Sequence, residues 1–100
     1  MRILLIDDLR ILEADRTART FDDGIEALKN EGPWDVLLLD HDYGDPDPAK
    51  NGEGIMKFLE ANPGLLPGHI HFVTANPVGR ERMRVIRKQL YEKYPEKRLV

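Results

Sequence analysis

Four aspartates fall where they can do chemistry together. Asp7 and Asp8 close the apolar run Arg2 to Asp7 (RILLID), Asp40 closes a second run, Asp35 to Asp40 (DVLLLD), and Asp42 follows two residues later. In a parallel sheet, ligands gather at the carboxyl ends of the strands, so acids ending neighbouring strands converge. Converging carboxylates repel unless one is protonated or a cation sits among them. Hard oxygen ligands in this number suit Mg²⁺, Mn²⁺ or Ca²⁺ rather than zinc. We therefore expect Mg²⁺ or Mn²⁺ as cofactor, with Asp7, Asp8, Asp40 and Asp42 as candidate ligands. The bland alternative is that these aspartates cap helices or turns, but a cap uses one carboxylate and leaves three unexplained.

The stretch Thr74 to Arg80 (TANPVGR) supplies the opposite charge preference. A hydroxyl, an amide side chain and the amino end of a helix face one crevice, and helix N-termini attract anions. Thr74, Asn76 and Arg80 are the candidate phosphate-binding residues, and Arg84, one turn on, lies on the same flank. Asn76 also reads as an N-cap with Pro77 at the first helical position; both roles can hold together. His41 is expected to point away from Asp40 and Asp42, either covering the rim or moving a proton. Asp40, His41 and Thr74 are the candidate catalytic residues. His69 and His71 share one strand face, but His69 lies ~16 Å from Thr74 at ~3.3 Å per residue, the wrong end for a ligand.

The elements that must position these groups follow from periodicity. Short continuous apolar runs at Arg2–Asp7 and Asp35–Asp40 predict strands buried on both faces. Thr17–Phe21 and Ile70–Thr74 predict two more, and Arg98–Val100 a short last one. Helices are predicted from Asp22 or Asp23 to Asn30, from Gly52 to Ala61 and from Val78 to Tyr94, with a loop at His41–Asn51. Met83, Ile86, Leu90 and Tyr94 form the inner stripe of the last helix. Trp34 is expected to pack at a sheet edge rather than stack on a base. Alternating strands and helices predict an α/β fold: a small doubly wound, mainly parallel sheet of about five strands, covered on both faces. The first connection is too short for a normal helical crossover, so its helix should be a stub (Leu9 to Ala14) or missing. The last helix should be missing as well.

One hundred residues predict one domain spanning 1–100. The absence of Cys excludes disulfides, thiolate zinc sites and cysteine nucleophiles. The apolar run from Ile3 to Ile6 is too short for a signal peptide or membrane span, so a cytoplasmic protein without membrane association is expected. Residues 1–60 hold fifteen acidic against seven basic residues, whereas residues 79–100 hold eight basic against three acidic. The basic helix is either a solvated face or a phosphate-steering surface beside the cation site. No zinc finger or aromatic-rich strand face points to nucleic acid, and the net charge is −3.

The segments LLIDD, VLLLDHD and FVTAN together resemble a response-regulator receiver. In that fold an acidic pair after the first strand holds Mg²⁺, an Asp after the third accepts phosphate, and a Thr or Ser after the fourth contacts it. The resemblance assigns these roles to Asp7 with Asp8, to Asp40 and to Thr74. The segments at 6–10 (IDDLR), 19–28 (RTFDDGIEAL), 39–45 (LDHDYGD) and 74–83 (TANPVGRERM) are more similar still to the cyclic-phosphate processing receiver family, proposed to act on cyclic phosphate ends of RNA. Two departures matter. The phosphate-contacting Lys of signalling receivers has no counterpart here, which argues against ordinary phosphorelay. Val73 stands where members of the closer family often carry His.

The resulting expectation is a metal-dependent phosphate-chemistry domain acting on a phosphate-containing small molecule or an RNA end. Asp40 would serve as nucleophile or base. The alternatives are a phosphoacceptor or pseudo-receiver that switches a protein partner, and a non-enzymatic interaction module or inhibitor on the same scaffold.

Overall fold

The computed structural model describes residues 1–99. Strands and helices alternate as β1 (Ile3–Ile6), β2 (Arg16–Ala18), α1 (Phe21–Asn30), β3 (Val36–Leu39), α2 (Gly52–Ala61), β4 (His69–Phe72) and α3 (Pro77–Lys93). All pairings are parallel, in the order β2-β1-β3-β4. The chain winds outward from β1 in both directions, as the α/β reading expects. Among the described residues no helix is long and apolar enough to cross a membrane.

The register of β1 on β3 positions the site. Ile3 pairs with Val36 and Ile6 with Leu39, so the next residues, Asp7 and Asp40, leave the sheet side by side. The Asp40 N–H donates to the Ile6 carbonyl at 3.0 Å and the Asp7 N–H to the Ala18 carbonyl at 3.0 Å. Both acids are thus fixed by ladder bonds before their side chains do anything.

Paired residues of parallel strands share a face. Leu4, Ile6, Leu37, Leu39 and Ile70 point to the helices and form one core with residues such as Leu28, Ile55, Leu59, Met83 and Leu90. α2 packs against both α1 and α3, so the three helices make a single layer. The opposite face carries Ile3, Leu5, Val36, Leu38, His69 and His71, with no helix over it among the described residues. Helices therefore cover one face only among the described residues, while Leu5 on the other is fully buried all the same. The reason is topological: right-handed crossovers from β2 to β3 and from β3 to β4 run in one direction and fall on one face. Only β1 to β2 runs the other way, and its nine residues are irregular. They reach ~30 Å extended, enough to return along a four-residue strand of ~13 Å without a helix. Asp15 closes this loop, its N–H donating to the Ile3 carbonyl at 2.9 Å and its carboxylate accepting the Ile3 N–H at 2.7 Å.

The helix starts follow local chemistry. α1 is capped by Thr20, whose hydroxyl accepts the Asp23 N–H at 3.1 Å. Asp22 and Asp23, expected as caps, sit in the first turn instead, where their charge opposes the positive end of the helix dipole. Asn51 caps α2 and Asn76 caps α3, with Pro77 first in the helix. Trp34 is buried in the core, its indole N–H donating to the Ala27 carbonyl at 3.0 Å. The strand expected at Arg98–Val100 is not formed over the described residues. Pro95–Lys97 is a 3₁₀ turn, Leu99 makes one bond to the Gly68 carbonyl, and Val100 lies outside the described residues.

The single helix layer has a measurable signature. Leu37→Ala, on the helix side and fully buried, should cost ~2–5 kcal/mol in urea unfolding. Leu38→Ala, on the other face and half-buried, should cost clearly less. Equal losses would show that both faces are packed alike.

Candidate functional site

The carboxyl ends of β1 and β3 form one wall of an open cleft of about 440 Å³, and the turn from Thr74 to Asn76 forms the other. Asp7, Asp8 and Asp40 each offer a carboxylate oxygen, and these oxygens lie within 4.8 Å of one another. One hard cation with ligands at ~2.1–2.6 Å would fit that spacing. Asp42 lines the cleft but stands outside this trio.

Asp7 is fully buried and its carboxylate is fully engaged. One oxygen accepts the N–H groups of Leu9 and Arg10, each at 3.0 Å, and the other accepts the Arg10 guanidinium at 2.9 Å. Burial works against its charge, but the donors from Arg10 and Leu9 prevail and hold its pKa below the ordinary value. Asp40 moves the opposite way. Burial is the largest influence, the neighbouring Asp7 charge adds to it, and its pKa rises despite hydrogen bonds from the His41 N–H and the Thr74 hydroxyl. Two adjacent carboxylates with opposed shifts can play different roles at one pH.

Arg10 is the residue that reading by pattern overlooked. Its guanidinium bridges Asp7 at 2.9 Å and Asp40 at 3.6 Å, a cation supplied by the chain itself. Arg19 braces the loop beneath it, donating to the carbonyls of Asp7 at 3.2 Å and Arg10 at 2.6 Å. The only sequence signal was position: Arg10 ends the IDDLR segment three residues after Asp7, a spacing at which a side chain can fold back onto a turn. Tyr43 was overlooked as well. Its hydroxyl donates to the Asp40 carbonyl at 2.6 Å, and burial beside the acids keeps it protonated by pushing its pKa up.

His41 does not turn away from both acids. Its Nδ1 lies 2.8 Å from the Asp42 carboxylate, and its ring is mostly covered, while the Asn76 amide donates to the other Asp42 oxygen at 3.2 Å. The expectation failed because the chain leaves strand geometry after Leu39, so alternation no longer sets direction. The His41 hydrogen bond, aided by Asn76, lowers the Asp42 pKa. Asn76 also caps α3, accepting the Gly79 N–H at 3.0 Å. The N-cap reading of that residue therefore holds. Thr74 is buried, and its hydroxyl accepts the Asn76 N–H at 3.1 Å while donating to Asp40.

Arg80 is brought to the turn rather than into the cleft: its guanidinium donates to the Thr74 carbonyl at 2.5 Å. It supports the turn from behind. Arg84 pairs with Glu81 at 2.8 Å, and His69 and His71 lie along β4 away from the acids. Two glycines make the close packing feasible. A Cβ on Gly52 would collide with the Asp40 carbonyl, and one on Gly79 would stand 2.5 Å from the His41 ring.

Parallel strands in this order, with acids ending β1 and β3 and a hydroxyl after β4, define a receiver domain. Residues 2–89 match the family described as the cyclic-phosphate processing receiver domain, and the chain belongs to that family. No curated protein and no solved structure gave a significant match.

The opposed shifts of Asp7 and Asp40 set signs that a pH series will read. The contribution of Asp7 is present above 3.8, its ordinary value, and is lost as pH falls through its lowered pKa. Asp7→Asn should therefore cost ~1.5–3 kcal/mol at neutral pH, the range for a hydrogen-bonded charge. The penalty at Asp40 grows as pH rises from 3.8 through its raised pKa, so Asp40→Asn should raise the neutral-pH melting temperature of metal-free protein. That gain should vanish in acid. A melting temperature lowered by Asp40→Asn at neutral pH would make Asp40 a structural cap.

Gly79→Ala tests the His41 seat separately. Overpacking should cost ~1–3 kcal/mol, whereas Gly64→Ala, with nothing within 4 Å, should stay within ~0.5 kcal/mol of the parent in urea unfolding.

Proposed function

We propose that this receiver domain is a divalent-cation-dependent phosphoesterase that opens cyclic phosphates on RNA ends or nucleotides, with Mg²⁺ or Mn²⁺ held by Asp7, Asp8 and Asp40. The observation that carries this reading is the trio of carboxylate oxygens within 4.8 Å, facing a hydroxyl and a helix start across one cleft. A cation bound there would supply charge neutralisation for the phosphate oxygens. Asp40, with its raised pKa, is suited to accept a proton from water. The water oxygen then bonds to phosphorus, one ring P–O bond breaks, and the proton passes to the departing ribose oxygen. The Thr74 hydroxyl, fixed by the Asn76 N–H, orients Asp40 for this exchange. Arg80 holds the Thr74 carbonyl and so keeps the turn in place. His41 acts through Asp42, which it anchors on the rim.

One observation favours a second reading. Arg10 already bridges Asp7 and Asp40, so the domain would also suit a metal-free regulatory receiver whose cation is built in. Two measurements separate the readings. With millimolar Mg²⁺ or Mn²⁺ the melting temperature should rise, by about 2.7 kcal/mol of stability at a hundredfold excess over Kd. Asp8→Asn should abolish the shift, and Arg10→Ala, which removes the competing cation, should enlarge it. Hydrolysis of a 2′,3′-cyclic nucleotide should require the metal and fall ~10²–10⁴-fold in Asp40→Asn. No metal-induced shift in either wild type or Arg10→Ala would establish the regulatory reading instead.

A further inference from the structure

A second cavity, of about 600 Å³, runs between β4 and α3 and shares no lining residue with the acidic cleft. Its walls include His71, Arg84, Arg87, Lys88, Tyr91 and Arg98. Arg87 is at its centre. The guanidinium donates to the Ile70 carbonyl at 2.9 Å and lies 4.4 Å from the centre of the Phe72 ring. Among the described residues no carboxylate pairs with Arg87, whereas Arg84 has Glu81 and Lys88 has Glu92. Burial lowers the Arg87 pKa, and the like charges of Arg84 and Arg98 press it the same way. A half-buried cation crowded by its own sign is relieved by an anion.

Flat surfaces accompany the charge. The His69 and His71 rings stack 5.9 Å apart at 27°, and Arg98 lies 5.9 Å from the Tyr91 ring centre. Arg80, Arg84 and Arg87 follow one another at the spacing of a single helix face. They span ~10 Å at 1.5 Å per residue. The stripe starts at the wall of the acidic cleft, where Arg80 holds the Thr74 carbonyl, and ends in the second cavity. A lone terminal phosphate needs only the cleft. A row of cations beside flat rings fits a chain of phosphates that carries bases, charge for the backbone and rings for stacking.

We propose that the groove between β4 and α3 binds single-stranded RNA, holding the strand whose end enters the acidic cleft. The direction of the strand and the choice of RNA rest on the cyclic-phosphate reading above, since a 2′,3′-cyclic phosphate requires ribose; the charge and ring geometry stand without it.

The test is equilibrium binding of the full chain to a labelled RNA of about ten nucleotides with a plain 3′-hydroxyl end, within the usual span of a single-strand site. Wild type should bind with a steep salt dependence. The exposed double change Arg84→Ala with Lys88→Ala should weaken binding about tenfold and reduce the log–log salt slope by ~1.4, at ~0.7 per lost phosphate contact. Lys57→Ala, on α2, should leave binding unchanged. An unchanged affinity in the double variant would overturn the groove, as would a decaglutamate peptide that competes as well as RNA. Turnover of a cyclic mononucleotide together with an unaffected double variant would sink the groove and spare the phosphoesterase. RNA binding lost in the double variant, in a protein that turns over no cyclic phosphate, would sink the phosphoesterase and support the groove.

Discussion

Three carboxylates held together at the end of a buried sheet are an electrostatic liability, and the surrounding structure is organised to contain it. Parallel register brings Asp7 and Asp40 side by side, and neither can retreat, because each backbone N–H is committed to a neighbouring strand. The repulsion is met locally. Asp7 keeps its charge by collecting two backbone donors and a guanidinium, while Asp40 is pushed towards its neutral form. The first-connection loop exists in its observed shape because Leu9 and Arg10 must turn back onto Asp7, and Arg19 holds that turn from below.

The wall opposite the acids depends on the same constraint from the other side. Thr74 serves Asp40 with its hydroxyl and Arg80 with its carbonyl, so the turn after β4 is tied both to the acids and to α3. Asn76 joins the helix start to Asp42, and Asp42 to His41. The Gly52 and Gly79 backbones approach Asp40 and His41 more closely than any side chain would allow. The cleft is a closed circuit of short polar contacts, and no single element builds it.

Much of this was legible beforehand. Apolar runs ending in Asp revealed β1, β3 and the acidic trio, because burial on both sides of a strand leaves a continuous apolar signature. Asn-Pro before a helical period marked the start of α3. Other features leave no periodic trace. Arg10 reaches back across a turn, and no spacing rule separates such an arginine from a solvated one. His41 was misdirected because alternation was extended beyond the last strand residue. The brevity of the β1–β2 connection was plain in the sequence, yet its consequence, one sheet face without a helix among the described residues, emerges only when crossover handedness is applied to the observed strand order.

β4 is also one of the two outer strands of the sheet, the other being β2. An outer strand offers outward-pointing backbone groups to any other extended chain and is the usual starting point for unwanted self-association. Here the Ile70 carbonyl is already taken by Arg87, and Arg84, Lys88 and Arg98 stand along the same border. Two copies meeting border to border would have to bring these cations together, with Glu81 and Glu92 offsetting only Arg84 and Lys88. Cations along this border oppose such a meeting, and the opposition weakens as salt is added.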